Sequence, residues 1–148
     1  MRISAKGRYA LAAVTYMAQH YNNGEVITLI SISEKLGISK IYLEQVFALL
    51  KRGNIVISEK GAQGGYQLSR KPGNISVYDV LSAVETTLFE NAEATVPETA
   101  PDIEAAMRVS AFDYLDKTVK SALEKVSISD LVAESEKHKS QNAIMFYI

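Results

Sequence analysis

The residues best suited to chemistry in this 148-residue sequence fall in three short stretches. The first is Ser39-Lys40-Ile41-Tyr42-Leu43-Glu44-Gln45. Leu43, Val46, Phe47 and Leu50 recur at three- and four-residue steps, which gathers them on one helical face. That leaves Ser39, Lys40, Tyr42, Glu44 and Gln45 outside, near the helix N-terminus. Gln pairs a donor and an acceptor in the pattern adenine presents, and Glu accepts from the exocyclic amine of cytosine, so this set can read base edges. On an isolated helix the same residues would equally form an ordinary solvated face. The second stretch is Lys60-Gly61-Ala62-Gln63-Gly64-Gly65-Tyr66. Its glycines permit positive φ and leave little bulk. Such a tip can enter a minor groove, with Lys60, Gln63, Gly64 and Tyr66 as its contacts; alone, it would pass for any glycine-rich hairpin. The third stretch surrounds Ser4, a candidate helix cap, with Arg2, Lys6 and Arg8. Cations at a helix N-terminus suit a phosphate, though a solvated basic end has the same composition. Lys51, Arg52, Arg70 and Lys71 would add phosphate contacts or simply solubility.

The order of the surrounding elements decides between these readings. Ser4 to Tyr21 predicts a helix ended by Asn22-Asn23-Gly24, and Val26 to Thr28 a short β-type run. A helix over 29–36 breaks at Gly37, and Ser39 caps a third helix reaching about Arg52, with Ile38 and Leu43 as its hydrophobic staple. Two short helices joined by a tight glycine turn predict a helix-turn-helix. A strand over 54–60, a turn over 61–65 and a returning strand over 66–69 follow at once, which is the order of a winged helix. Ser76 caps a fourth helix to about Glu85, with Asp79 completing a capping box and Ile75–Val80 a staple. The stretch 86–102 carries Pro97, Pro101 and several acids, and reads as a long surface loop. Ile103 to about Lys125 predicts the longest helix, with Met107, Ala111, Tyr114, Leu115, Val119 and Ala122 in one apolar stripe. The stripe packs either on its own domain or on a second copy; pairing fits better, because a single short recognition helix gains affinity and a two-fold site by doubling. Ser127 with Asp130 starts a short helix to about Lys137, and the tail ends Ile144-Met145-Phe146-Tyr147-Ile148. The expected fold is therefore mainly α with a small β wing. A winged helix-turn-helix domain (1–85) leads through a surface loop (86–102) to a dimerisation helix and C-terminal tail (103–148).

Composition narrows the function. Hydrophobic residues make up 47% and charged residues 22% of the chain, an ordinary globular balance. There is no cysteine, which removes disulfides, thiol nucleophiles and cysteine-held zinc or iron–sulfur clusters. Two histidines far apart, His20 and His138, argue against a histidine metal site, and no cofactor is expected. There is no phosphate loop and no histidine beside a plausible nucleophile, and Glu134 and Glu136 read as solvated surface, so the chain is not expected to be an enzyme. The net charge of −1 conceals a polarity: residues 1–75 hold ten Lys and Arg against four acids, whereas residues 76–148 hold six against thirteen. A basic first half points to an anionic partner, here double-stranded DNA. The longest apolar run, Tyr9 to Ala18, falls short of the roughly 20 residues of a membrane span. It follows three cations as a signal peptide would. It lacks a small-residue cleavage site and passes into Gln19-His20-Tyr21, so it reads as a buried helix of a cytoplasmic protein.

Three motifs in order carry a family resemblance: Met1-Arg2-Ile3-Ser4-Ala5-Lys6-Gly7-Arg8-Tyr9-Ala10, Tyr42-Leu43-Glu44-Gln45, and Gly61-x-x-Gly64-Gly65-Tyr66-x-Leu68. Together they resemble the Rrf-type (IscR/CymR) winged-helix transcriptional regulators of bacteria, strongly over residues 1–85, with the helix order continuing to the end. The resemblance implies a homodimer that binds a palindromic operator. Cluster-binding members carry three cysteines in the loop that is 86–102 here; this loop has none, so cluster sensing is not implied. Lys60 stands where the family often has arginine, a point charge in place of a planar fork. The clusterless CymR-type repressors of cysteine metabolism are most similar, and Met145-Phe146-Tyr147-Ile148 looks like their ending. Those repressors work with cysteine synthase (O-acetylserine thiol-lyase), an enzyme on which serine acetyltransferase docks through a C-terminal isoleucine carboxylate. The resemblance implies the same use of Ile148, since terminal-carboxylate capture is a recurrent recognition mode; the alternative is a tail folded back on its own dimer. Two other readings stay open: a clusterless redox or small-molecule sensor with its effector near the 86–102 loop, and a winged helix used as a protein-interaction module.

Overall fold

The computed structural model describes residues 2–21, 25–61 and 64–147, with backbone alone at 146 and 147. The expected helix stop at Asn22-Asn23-Gly24, the wing contact Gln63 and the terminal Ile148 lie outside the described residues, as do the side chains of Phe146 and Tyr147.

Helix α1 spans Ala5–Gln19, capped by Ser4, whose Oγ accepts the Gly7 N–H at 3.1 Å. Its buried face is Gly7, Ala10, Ala13, Val14, Met17 and Ala18. These small residues let the other helices approach closely, and α1 forms the centre of the core. Helix α2 spans Leu29–Leu36 and ends at Gly37, whose φ of 68° is the left-handed conformation that glycine adopts without a Cβ penalty. Helix α3 spans Lys40–Arg52, with Ser39 as its cap. Ile38 and Leu43 are both buried, as a staple at this turn requires.

Strands β1 (Val56–Glu59) and β2 (Gly65–Leu68) pair antiparallel, with Val56 opposite Leu68 and Glu59 opposite Gly65. The short run expected at 26–28 adds a third, minimal rung: Ile27 and Tyr66 exchange N–H···O bonds of 2.8 and 2.9 Å. Gly65 is needed here, because a Cβ would collide with the Ile27 carbonyl and the Val26 side chain. Helix α4 (Val77–Val84) carries the full capping box, Ser76 Oγ accepting from Asp79 N–H and Asp79 Oδ2 from Ser76 N–H, both at 2.9 Å.

The second half departs from expectation in two ways. First, the long helix is not uniform. Helices α5 (Pro101–Met107) and α6 (Asp113–Glu124) are joined by a π turn, Arg108–Phe112. A π turn inserts an extra residue and so rotates everything after it relative to a 3.6-residue count. Second, the final helix does not stop near Lys137. Helix α7 runs Ile128–Tyr147, 20 residues, because no Gly or Pro interrupts the chain after Ser127. The last helix also packs on the winged domain. Ile128 is fully buried in the common core, with Leu131 and Val132 packed against it. Val77 N–H donates to the Val126 carbonyl and Ile128 N–H to the Ile75 carbonyl, both at 2.8 Å. Helix α7 lies along α1, with Gln19 Nε2 donating to Ser135 Oγ at 2.9 Å.

Candidate nucleic-acid interface

The core fixes which face of α3 is free. Leu43, Val46, Phe47 and Leu50 are wholly buried against α1, α2 and α4, so Glu44 and Gln45 are left exposed on the outer face beside Lys40. The beginnings of α2 and α3 meet the wing across a cleft of about 240 Å3 lined by Thr28, Leu29, Ile30, Lys40 and the Gly64–Tyr66 strand. The elements that the sequence separates by some 25 residues thus form one continuous surface, with the helix N-terminus, a cation and the glycine-rich tip side by side.

Within that surface the expected residues divide. Lys40 and Glu44 form an i,i+4 pair at 3.9 Å, both about half exposed. An exposed pair of this kind contributes little and separates readily for another partner. Gln45 and Lys60 are exposed, and Gly64 is half-buried with φ 25°. Ser39 Oγ accepts the Tyr42 N–H at 3.2 Å as the cap, and the residue stays exposed. Tyr42 is half-buried, edge-on against Tyr9 with ring centroids 5.3 Å apart. Tyr66 packs its ring on Phe47 at 4.8 Å and anchors the wing to α3. Tyr42 and Tyr66 therefore help build the platform on which the more exposed residues, Ser39 among them, stand.

Arg2 and Arg8 are exposed and Lys6 is half-buried, but the amide end of α1 is not open as the sequence suggested. The Glu85 carboxylate already occupies it, accepting from Ser4 N–H at 3.0 Å and Ser4 Oγ at 2.7 Å. A phosphate at the Ser4 amide would meet that carboxylate, so a contact there would fall to the cationic side chains. Arg70 is likewise committed. It donates to the carbonyls of Asn54 (2.9 Å) and Asn74 (2.8 Å) and pairs with Asp79 at 3.1 Å, tying β2 to α4. Lys51, Arg52 and Lys71 remain exposed.

The structure adds residues that the polar pattern passed over. Ile41 is 73% exposed and Ile30 is 55% exposed, on the outer sides of α3 and α2. Ile41 lies outside the Leu43–Leu50 stripe, so its exposure was readable from helical spacing alone. Thr28 caps α2, accepting the Ser31 N–H at 3.1 Å, and lines the cleft. The expected stripe on the long helix is split by the π turn. Leu115 and Val119 line a cavity with Tyr78, Leu88 and Phe89, while Tyr114 is exposed, as are Ala111 and Ala122, and Met107 is half-buried. In the tail, Ile144 and Met145 are exposed on α7.

A helix-turn-helix whose recognition helix and glycine-tipped wing share one basic surface defines a winged-helix DNA-binding transcriptional regulator. Residues 3–134 match the Rrf2 family, described as iron-dependent transcriptional regulators, and the chain belongs to that family. It is 38% identical to the HTH-type transcriptional regulator ORF2 of Azotobacter vinelandii, over 92% of this chain and 82% of that protein. It is 35% identical to IscR of Aliivibrio salmonicida, over 92% and 80%. Among solved structures it is similar to CymR (YrzC), the global cysteine regulator of B. subtilis, with a TM-score of 0.70 and 29% identity over 90% of this chain and 98% of that one. T. potens IscR gives a TM-score of 0.68 and 31% identity over 93% and 90%.

The family's description implies iron, but this chain's residues do not fit it. Thiolates are absent from the sequence, and among the described residues no three His, Asp or Glu side chains converge as metal ligands. The loop before α5 is ordered by a carboxylate. Glu104, buried, accepts the N–H of Thr95 (3.1 Å) and Val96 (3.0 Å). Arg108 lies 3.8 Å from Glu104 and donates to the Ala92 carbonyl at 3.2 Å. Among the described residues no helix is long and apolar enough to cross a membrane.

Proposed function

We propose that this chain is a cytoplasmic, homodimeric repressor that binds a palindromic operator and governs genes of cysteine and sulfur metabolism. The observation that carries the DNA reading is the continuous surface of α3, the α2 N-terminus and the wing. Glu44 and Gln45 read base edges in the major groove, Lys40 approaches the backbone beside them, and Lys60 with Gly64 serves the wing. Arg2, Lys6 and Arg8 hold phosphates through their side chains. The sulfur assignment rests on the likeness to the cysteine regulator CymR, which extends over 98% of that chain, together with the absence of cysteines from this one. The α5–α6 run joins the two copies and sets the half-site spacing near one helical turn, roughly 34–36 Å. The partner surface for cysteine synthase is the chain end, Met145 to Ile148. Helix α7 reaches Tyr147, and Met145, 74% exposed on it, would supply an apolar contact.

A second reading has one observation in its favour. The cavity of about 220 Å3 between Tyr78, Leu88, Phe89, Leu115 and Val119, with Lys120 placed 5.3 Å over the Tyr78 ring, adjoins the start of the 86–102 loop. It is below the roughly 300–1,000 Å3 of sites for drug-sized ligands, so it suits a small-molecule effector.

Selection of genomic fragments by the purified protein at near-physiological salt distinguishes these. Palindromes upstream of cysteine and sulfur-uptake genes are the expected result. A palindrome beside other genes would retain the regulator and discard the sulfur assignment. Affinity altered by a metabolite without a second protein would favour the sensor, and the lack of any enriched sequence would favour a protein-interaction module.

A further inference from the structure

Ile41 is the one large aliphatic side chain of α3 that stands mostly exposed among the described residues. It is 73% exposed, whereas Leu43, Val46, Phe47 and Leu50 are fully buried. A single exposed apolar residue is unremarkable by itself; its position is what matters. It stands two residues after the Ser39 cap, four before Gln45 and three before Glu44, so the three side chains are neighbours on the outer face of the first turns. Its other neighbour, Lys40, is cationic and lines the cleft with the wing. An apolar group is thus fixed at the centre of a face whose remaining members are charged or hydrogen-bonding. Of the groups that base pairs display in the major groove, only one is apolar: the C5-methyl of thymine.

We propose that Ile41 is a specificity-determining residue that packs on a thymine methyl in each half-site, within one base step of the pair read by Glu44 or Gln45. The inference rests on the reading that α3 lies in the major groove. Its free-energy source is removal of a methyl and an isoleucine side chain from water, which needs no hydrogen-bond geometry. Burial of one methyl-sized group corresponds to about a fourfold change in Kd. The β-branched side chain loses little entropy on contact, because its χ1 is already restricted within the helix.

The test removes only the methyl. In the palindrome selected by the wild-type protein, each thymine is replaced in turn by uracil, and Kd is measured for wild type and for Ile41→Ser. Wild type is expected to lose about fourfold at one thymine of each half-site, and Ile41→Ser to bind thymine and uracil operators equally well. The variant should melt at the wild-type temperature, since its side chain touches no core, and a salt slope equal to wild type would show that phosphate contacts persist. A uracil penalty of the same size in both proteins, or no penalty at any thymine, overturns the assignment of Ile41 and leaves the regulator intact. Failure of the wild type to select any palindrome would instead overturn the DNA reading itself.

Discussion

At the scale of single residues, the surface is a balance between attraction and exclusion. Arg2, Arg8, Lys40 and Lys60 are exposed cations and, in the proposed complex, would supply sequence-independent attraction to phosphates. Glu44 does the opposite. A carboxylate brought up to a polyanion gains nothing unless it finds a donor, and in the major groove the donors are the amines of cytosine and adenine. Its pairing with Lys40 at 3.9 Å, on an exposed surface, is weak enough to be exchanged for such a donor. Glu44 should therefore act by penalising wrong bases more than by rewarding the right one. Replacement by Ala is expected to relax the operator at one position per half-site, by about 1–3 kcal/mol of discrimination, while affinity for unrelated DNA holds or rises. Repeating the fragment selection with Glu44→Ala reads this directly; an unchanged motif would remove Glu44 from base recognition.

At the scale of elements, legibility followed the range of the interactions involved. The helix-turn-helix, the wing and the capping box at Ser76 and Asp79 are specified within a few residues of themselves, and they fold at the positions their local chemistry indicates. Contacts between distant residues left no such trace. The Glu85 carboxylate that closes the α1 N-terminus comes from 81 residues away. Arg70 read as a free surface cation, yet four acceptors, the Asn54 and Asn74 carbonyls, Ser69 Oγ and Asp79 Oδ2, hold it. The π turn has no strong sequence marker, so the stripe on the long helix was counted at a period it does not keep. The order of the loop before α5 was equally hidden, since it depends on one acid among many. Glu104 is singled out only by burial, accepting two backbone N–H groups that otherwise lack partners. Glu104→Ala is expected to cost about 1.5–3 kcal/mol, the usual value of hydrogen bonds to a charged group, and to speed hydrogen exchange at the Thr95 and Val96 amides. Urea titration and exchange measurements check the two parts separately. Unchanged exchange at both amides would show that the loop is held by something else.

At the scale of the whole molecule, the excess of cations and the longest run of exposed apolar surface lie on different elements. The first 75 residues carry the cations in excess and the remainder the acids, so the acidic half is repelled from the DNA that the basic half attracts. A run of exposed apolar side chains also lies where no DNA contact is expected: Ile103, Val109, Tyr114 and Leu115 along α5, the π turn and α6. This run of 24 residues is about 36 Å long at 1.5 Å per residue, long enough to bury the roughly 800 Å2 per partner of a standard interface against a second copy. A palindrome then follows from geometry, because a two-fold pairing presents two recognition helices related by the same axis. Tyr114 is the most useful probe. It is 68% exposed, so a charge there cannot disturb the monomer's core, yet in a dimer it would desolvate that charge. Tyr114→Glu is expected to sediment as a monomer and to melt with its winged domain intact. Its affinity for the full operator should fall by on the order of 10²-fold, the loss that accompanies conversion of a bivalent to a monovalent contact, while affinity for an isolated half-site stays at the wild-type level. A wild-type protein that sediments as a monomer would overturn the dimer, and a Tyr114→Glu variant that remains dimeric would place the two-fold axis elsewhere on the molecule.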